Sequence, residues 1–114
     1  MSDKRHSRLE AQKTPAGVFA ALGDATRLSM LTRLSNGAPQ SISRLTAGTS
    51  LSRQAVTKHL RVLAEAGIVR NVRVGRENLF ALEPRPLAEL RDFLDRIAKE
   101  WDGALARLKA HVEG

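Results

Sequence analysis

Leu51-Ser52-Arg53-Gln54-Ala55-Val56-Thr57-Lys58-His59-Leu60-Arg61-Val62-Leu63 is the stretch on which the reading of this chain turns. Val56, Leu60 and Leu63 recur at helical spacing and fall on one stripe of an α-helix. Arg53, Gln54, Thr57, Lys58 and Arg61 fall on the other side, so the free face of that helix is polar and basic. Ser52 stands where an N-cap belongs, because its hydroxyl can accept from the unpaired N–H groups of the first turn. Gly67 ends the helix after about Ala66.

Upstream, Ser41 can cap a short helix carrying Ile42 and Leu45, which Gly48 breaks. A helix, a glycine-containing break and a second helix with a basic free face form the helix-turn-helix pattern. Two further helices precede it. Pro15 opens the first, with Val18, Phe19 and Leu22 as its apolar face and Gly23 near its end. Asp24 caps the second, in which Ala25, Leu28, Leu31 and Leu34 recur every three residues up to Asn36-Gly37. Arg27, so close to that cap, is read as a local ion pair.

Beyond Gly67 the period changes to two. Val72 and Val74 alternate with Asn71 and Arg73, predicting a half-buried strand over 68–74. Gly75-Arg76 supplies a two-residue type II′ turn with glycine first. A return strand over 79–82 then carries Phe80 and Leu82 on one face. A hairpin directly after the second helix of a helix-turn-helix is a wing. Pro84 and Pro86 separate it from a last helix over about 86–112, where Leu87, Leu90, Phe93, Leu94, Ile97, Trp101, Leu105, Leu108 and Val112 hold one stripe. Such a helix reaches roughly 40 Å, more than the remaining chain can cover, and Gly103 weakens it by about 1 kcal/mol relative to alanine. The stripe is therefore read as a dimer interface. The fold class is mainly α with a small β-hairpin, a winged helix-turn-helix in the order α-α-α-α-β-β-α. Residues 15–114 form a single domain, preceded by a flexible basic arm over residues 1–14.

Charge supports a nucleic-acid partner. The 114 residues carry 19 Lys and Arg against 12 Asp and Glu. Residues 41–82 hold seven bases against two acids, whereas residues 83–114 hold six against seven. A solvated face mixes both signs; a one-signed segment suits phosphates. The chain contains no cysteine, which excludes disulfides, thiolate catalysis and cysteine-ligated metals. No apolar run approaches the length of a membrane span, and the polar start is not a secretory signal, so a cytoplasmic location is expected. No Gly-rich phosphate loop and no Ser/His/Asp arrangement points to an enzyme. His6 and His111 are isolated, so no metal is expected, nor any other cofactor.

Several linked stretches, in order, resemble the ArsR family of bacterial winged-helix repressors. They are Ala20-Ala21-Leu22-Gly23-Asp24-Ala25-Thr26-Arg27-Leu28, the stretch over residues 51–63, Ala64-Glu65-Ala66-Gly67-Ile68-Val69, and the wing from Gly75-Arg76 through Phe80-Ala81-Leu82. The resemblance implies a homodimer that binds a near-palindromic operator in double-stranded DNA and blocks transcription. It also implies that the first and last helices pair. The interface would then comprise Val18, Phe19, Leu22, Leu90, Leu94, Ile97, Trp101, Leu105 and Leu108. Many members sense metals through cysteines on the third helix, but Ser41-Ile42-Ser43-Arg44-Leu45 has no thiol. Others use an Asp-x-His on the last helix, whereas Asp95 here is followed two residues later by Ile97. Any inducer is left unnamed by the residues.

In such a fold the start of the fourth helix delivers Ser52, Arg53, Gln54, Thr57 and Lys58 to the major groove. Arginine matches the O6/N7 edge of guanine and glutamine the N6/N7 edge of adenine, so Arg53 and Gln54 are assigned to bases. Thr57, Lys58 and Arg61 are assigned to phosphates or neighbouring bases. Ser52 has two roles open, cap and phosphate contact. His59 is expected to meet a phosphate or make an intramolecular bond. Arg73 and Arg76 would lie on the wing near the minor groove, although basic residues also protect sheet edges. Three alternatives stay open: an architectural DNA binder indifferent to sequence, a module for an acidic protein, and a sensor of metal held by histidine and carboxylate.

Overall fold

Side-chain caps start four of the helices. In the computed structural model, which describes residues 12–114, α1 (Pro15–Leu22) begins where Thr14 Oγ1 accepts from Gly17 N–H at 3.3 Å. Helix α2 (Ala25–Leu34) begins at Asp24, whose Oδ1 accepts from Arg27 N–H at 3.0 Å. Ser41 and Ser52 cap α3 (Ile42–Ala47) and α4 (Arg53–Glu65), accepting from Arg44 and Ala55 at 3.1 Å each. Helix α5 (Pro84–Glu113) has no side-chain cap bond. It starts two residues before the expected point, with both prolines in its first turn, where a missing N–H costs nothing. The expected arm falls outside the described residues, apart from its last three.

The core joins all of these elements. Met30, Leu34, Leu45, Val56, Leu60, Leu63 and Ile68 are fully buried, with Val18, Ala21, Leu31 and Leu90 beside them. The stripe expected along α4 is the one that is buried. In α2 the expectation needs correction. Residues three apart retreat about 60° per step around a helix, so a strict three-residue repeat spirals off any one face. Leu28 is 49% exposed, and Met30, Leu31 and Leu34 make the buried face instead.

The wing consists of β2 (Val69–Val74) and β3 (Glu77–Leu82), paired antiparallel from Val69↔Leu82 to Val74↔Glu77. Gly75 sits in the connecting turn at φ +61°, and no non-glycine among the described residues has positive φ. That combination fits a type II′ turn and excludes I′. A third strand, β1 (Gln40–Ser41), was not expected. It pairs with β3 through Gln40↔Phe80 and Ser41↔Leu79, giving the order β1-β3-β2. Because β3 is central, its Leu79–Phe80 stretch is paired along both edges; Ala81 is buried, and Leu79, Phe80 and Leu82 are half-buried.

Helix α5 runs unbroken through Gly103 for 30 residues, about 45 Å. Among its residues Leu90 alone is buried. Leu94, Ile97, Trp101, Leu105, Leu108 and Val112 all lie exposed, Trp101 by 63%. No helix among the described residues is long and apolar enough to cross a membrane.

Candidate nucleic-acid interface

Ser52 does two things for the reading face. Its cap bond fixes where α4 starts, and a hydroxyl that accepts from Ala55 keeps its own hydrogen to donate. From the first turn onward, Arg53, Gln54, Thr57, Lys58 and Arg61 line a single shallow concavity along the helix. All but Thr57 are exposed. Thr57 Oγ1 donates to Arg53 O at 2.9 Å, which leaves its methyl group and acceptor lone pairs for an outside partner. None of Arg53, Lys58 and Arg61 is in an ion pair among the described residues. Their charge therefore reaches solvent undiminished.

The wing divides its charge by position. Arg70, near its root, pairs with Glu83 at 3.6 Å. Arg73 and Arg76 lie exposed toward the tip, without an acidic partner among the described residues. The structure thus brings Arg53, Gln54, Thr57, Lys58 and Arg61 together and places Arg73 and Arg76 on the hairpin.

His59 is placed elsewhere. At about 100° per residue, it lies on the flank of α4 turned away from that concavity. Its Nδ1 stands 3.2 Å from Arg27 Nη1 and 3.9 Å from Asp24 Oδ1. Of the two roles open to it, the intramolecular one is present. Arg27 is correspondingly more than a local partner of Asp24: its Nε donates to Ala21 O at 2.5 Å and its Nη2 to Ala20 O at 3.5 Å, at the end of α1. Asp24 itself holds its carboxyl below the usual aspartate range, chiefly because the Arg27 backbone N–H bonds the charged form, with the Arg27 charge adding to this.

Two residues that brace the helix before α4 escaped the sequence. Arg33 reaches from α2 to the end of α3, donating from Nη1 to Leu45 O at 2.6 Å and from Nη2 to Arg44 O at 2.7 Å. It thereby satisfies carbonyls that a helix end leaves unpaired. Gln40 Nε2 donates back to Arg33 O at 3.2 Å. A basic residue late in a helix was the only available signal for Arg33, and it names no acceptor.

The residues expected at a dimer interface separate into two groups. Val18 and Leu90 belong to the protomer's own core, and Leu22 packs against it, so little of them is left for a partner. The apolar face of α1 has to cover α4 and α5 of its own chain first. Phe19, Leu94, Ile97, Trp101, Leu105 and Leu108 remain on the surface. Phe19 meets Phe93 of α5 edge to face, centroids 6.3 Å apart, and the Arg96 guanidinium stands 5.9 Å from the Phe93 ring centre. Among the described residues no group of three or more His, Asp or Glu is placed to hold a metal ion.

Comparison with known proteins agrees with this architecture. Residues 22–72 match a family model described as a helix-turn-helix domain. The HTH-type transcriptional regulator Rv2034 of Mycobacterium tuberculosis is 35% identical over 97 residues, covering 85% of this chain and 87% of the relative. A solved ArsR-like transcriptional regulator from Rhodococcus sp. RHA1 is 43% identical with a TM-score of 0.76, covering 88% of this chain and 92% of that one. A homodimeric winged helix-turn-helix DNA-binding domain from Mycobacterium bovis, at 23% identity and TM-score 0.60 over 84% of this chain and 86% of its own, shares the fold. With its capped helix-turn-helix, its wing and these relatives, the chain belongs to the ArsR family of winged helix-turn-helix transcriptional regulators.

Proposed function

We propose that the protein is a homodimeric, sequence-specific transcriptional repressor. It binds a near-palindromic operator through the helix at residues 52–66 and the wing at residues 68–82. The observation that carries this reading is the one-signed concavity of α4, where three unpaired bases flank Gln54 and Thr57. Lys58 and Arg61 neutralise phosphates and give salt-dependent affinity, while Arg53 and Gln54 supply base preference. The exposed stripe of α5, with Phe19 beside it, supports a second copy as the dimer partner. Two reading helices then enter successive major grooves, with half-site centres about one helical turn apart or a multiple of it. The repressor acts in the cytoplasm.

Fluorescence anisotropy tests this with a duplex from upstream of the protein's own gene and a scrambled control, each at two salt concentrations. The expected result is salt-sensitive binding that favours the upstream duplex by about a thousandfold or more. Equal binding to both duplexes would favour an architectural DNA binder. No binding to either would direct attention to an acidic protein partner. A reporter placed behind the bound duplex then separates repression from activation.

A further inference from the structure

One guanidinium ties three helices together. Arg27 is carried by α2, takes the carbonyls of Ala20 and Ala21 at the end of α1, and points Nη1 at His59 Nδ1 in α4. Arginine only donates, so in this contact Nδ1 of His59 is the acceptor. Asp24 completes the joint: its carboxylate accepts from the Arg27 backbone N–H at 3.0 Å and lies 3.9 Å from the same Nδ1. The His59 side chain is sheltered, at 22% exposed, and that of Asp24 is more open, at 36%.

Besides a hydrogen bond from Gln12 Nε2 to Glu65 Oε2 at 3.2 Å at its far end, α4 meets its neighbours through buried aliphatic side chains such as Val56, Leu60 and Leu63. Apolar burial is strong but has no direction, so it resists separation better than it resists rotation. A planar fork of donors does fix direction. The anchored end of α1 follows Phe19, which meets Phe93 of α5. The joint therefore stands between the two helices proposed to dimerise and the helix proposed to read DNA.

We infer that Arg27 is a positioning residue for operator recognition. Acting through His59, it fixes the angle of α4 against α1 and thereby the separation of the two reading helices in the dimer. This inference rests on the homodimeric reading above. Each base pair added between half-sites moves one of them by about 3.4 Å and turns it by about 35°. A dimer whose reading helices are held at one angle rejects such a change. A dimer with a loosened joint accommodates it.

The test uses the operator found by the titration above and two variants of it, with the central spacer one base pair shorter or longer. Binding is measured for wild type, Arg27→Lys, His59→Leu and His59→Asn. Asparagine keeps a carbonyl acceptor near the position of Nδ1, whereas leucine keeps the branched shape without an acceptor. Sedimentation and circular dichroism establish that each variant is folded and dimeric at the assay temperature. Wild type is expected to lose about tenfold or more on either altered spacer. Arg27→Lys and His59→Leu should bind all three spacers within about threefold of one another, with the correct spacer weakened by about tenfold. His59→Asn should restore most of the discrimination. Folded, dimeric Arg27→Lys and His59→Leu that keep the wild-type spacer preference would overturn the inference and leave Arg27 a stabilising residue only. If Arg27→Lys fails to fold, the His59→Leu and His59→Asn pair decides by the same criterion. A monomeric wild type would instead refute the homodimeric reading and this inference with it, whereas a dimeric wild type indifferent to spacing would overturn this inference alone.

Discussion

Gly48 has no room for a side chain. A Cβ there would lie 2.6 Å from Nη1 of Arg33, the guanidinium that holds the carbonyls of Leu45 and Arg44. Gly48→Ala should therefore destabilise the protein by about 1–3 kcal/mol, the usual penalty for overpacking. The loss should shrink in an Arg33→Ala background, where the obstructing group is gone; thermal unfolding of the four proteins measures both. On the proposed DNA face, Arg53→Ala should cost about 1–3 kcal/mol and relax preference at one base position per half-site. Lys58→Ala should weaken all duplexes alike and flatten the log–log salt dependence of a dimer by about two. An unchanged ranking of operator variants by Arg53→Ala would defeat the base assignment. Asp24 adds a pH dependence. Its carboxyl is held below the ordinary aspartate value by the Arg27 N–H, so its stabilising effect is fully present above that ordinary value. The effect is lost as pH falls through the depressed one. The stability gap between wild type and Asp24→Ala should accordingly narrow toward strongly acid pH in urea unfolding.

At the scale of elements, the sequence was most legible where one residue decides a local bond. Asp24, Ser41 and Ser52 were read as caps and all make the expected contact. The α4 stripe was legible because Val56, Leu60 and Leu63 keep helical spacing. Strand β1 was not legible, since two residues carry no period and its partner lies 38 residues away at Ser41↔Leu79. The start of α5 was obscured because proline both breaks helices and opens them. The long-range roles of Arg27 and Arg33 were hidden because, His59 apart, their acceptors are backbone carbonyls, which leave no mark in a sequence. The reading face itself was visible as composition: Arg53, Gln54, Thr57, Lys58 and Arg61 meet in the structure as their spacing implied, while His59, adjacent in sequence, turns the other way. Gly103 permits a test within one element. An added Cβ meets only Arg107 Nη1 at 3.4 Å, the end of a flexible side chain. Gly103→Ala should thus strengthen α5 by up to about 1 kcal/mol, seen as a higher midpoint in thermal unfolding.

For the whole molecule, the principal imbalance is between its two ends. The body buries its apolar residues, while the distal part of α5 leaves Ile97, Trp101, Leu105 and Leu108 in water. If a second copy covers that stripe, Leu94→Asp or Ile97→Asp places an unpaired carboxylate in an apolar contact, at a cost of several kcal/mol for the charged form. Both variants should sediment as monomers and lose tight operator binding, with the body still folded. Dimers that persist in both would move the interface off α5. The short strand β1 has a different consequence at this scale. By stitching the chain just before α3 to Leu79 and Phe80 of the middle strand, it fastens the wing halfway along its length to the helix-turn-helix. The hairpin then behaves as a cantilever: stiff near Leu79 and Phe80, and compliant only around Gly75. Adaptation to an uneven groove is left to the last few residues of the tip, and amide hydrogen exchange should rise steeply along Glu77–Leu82 toward Gly75.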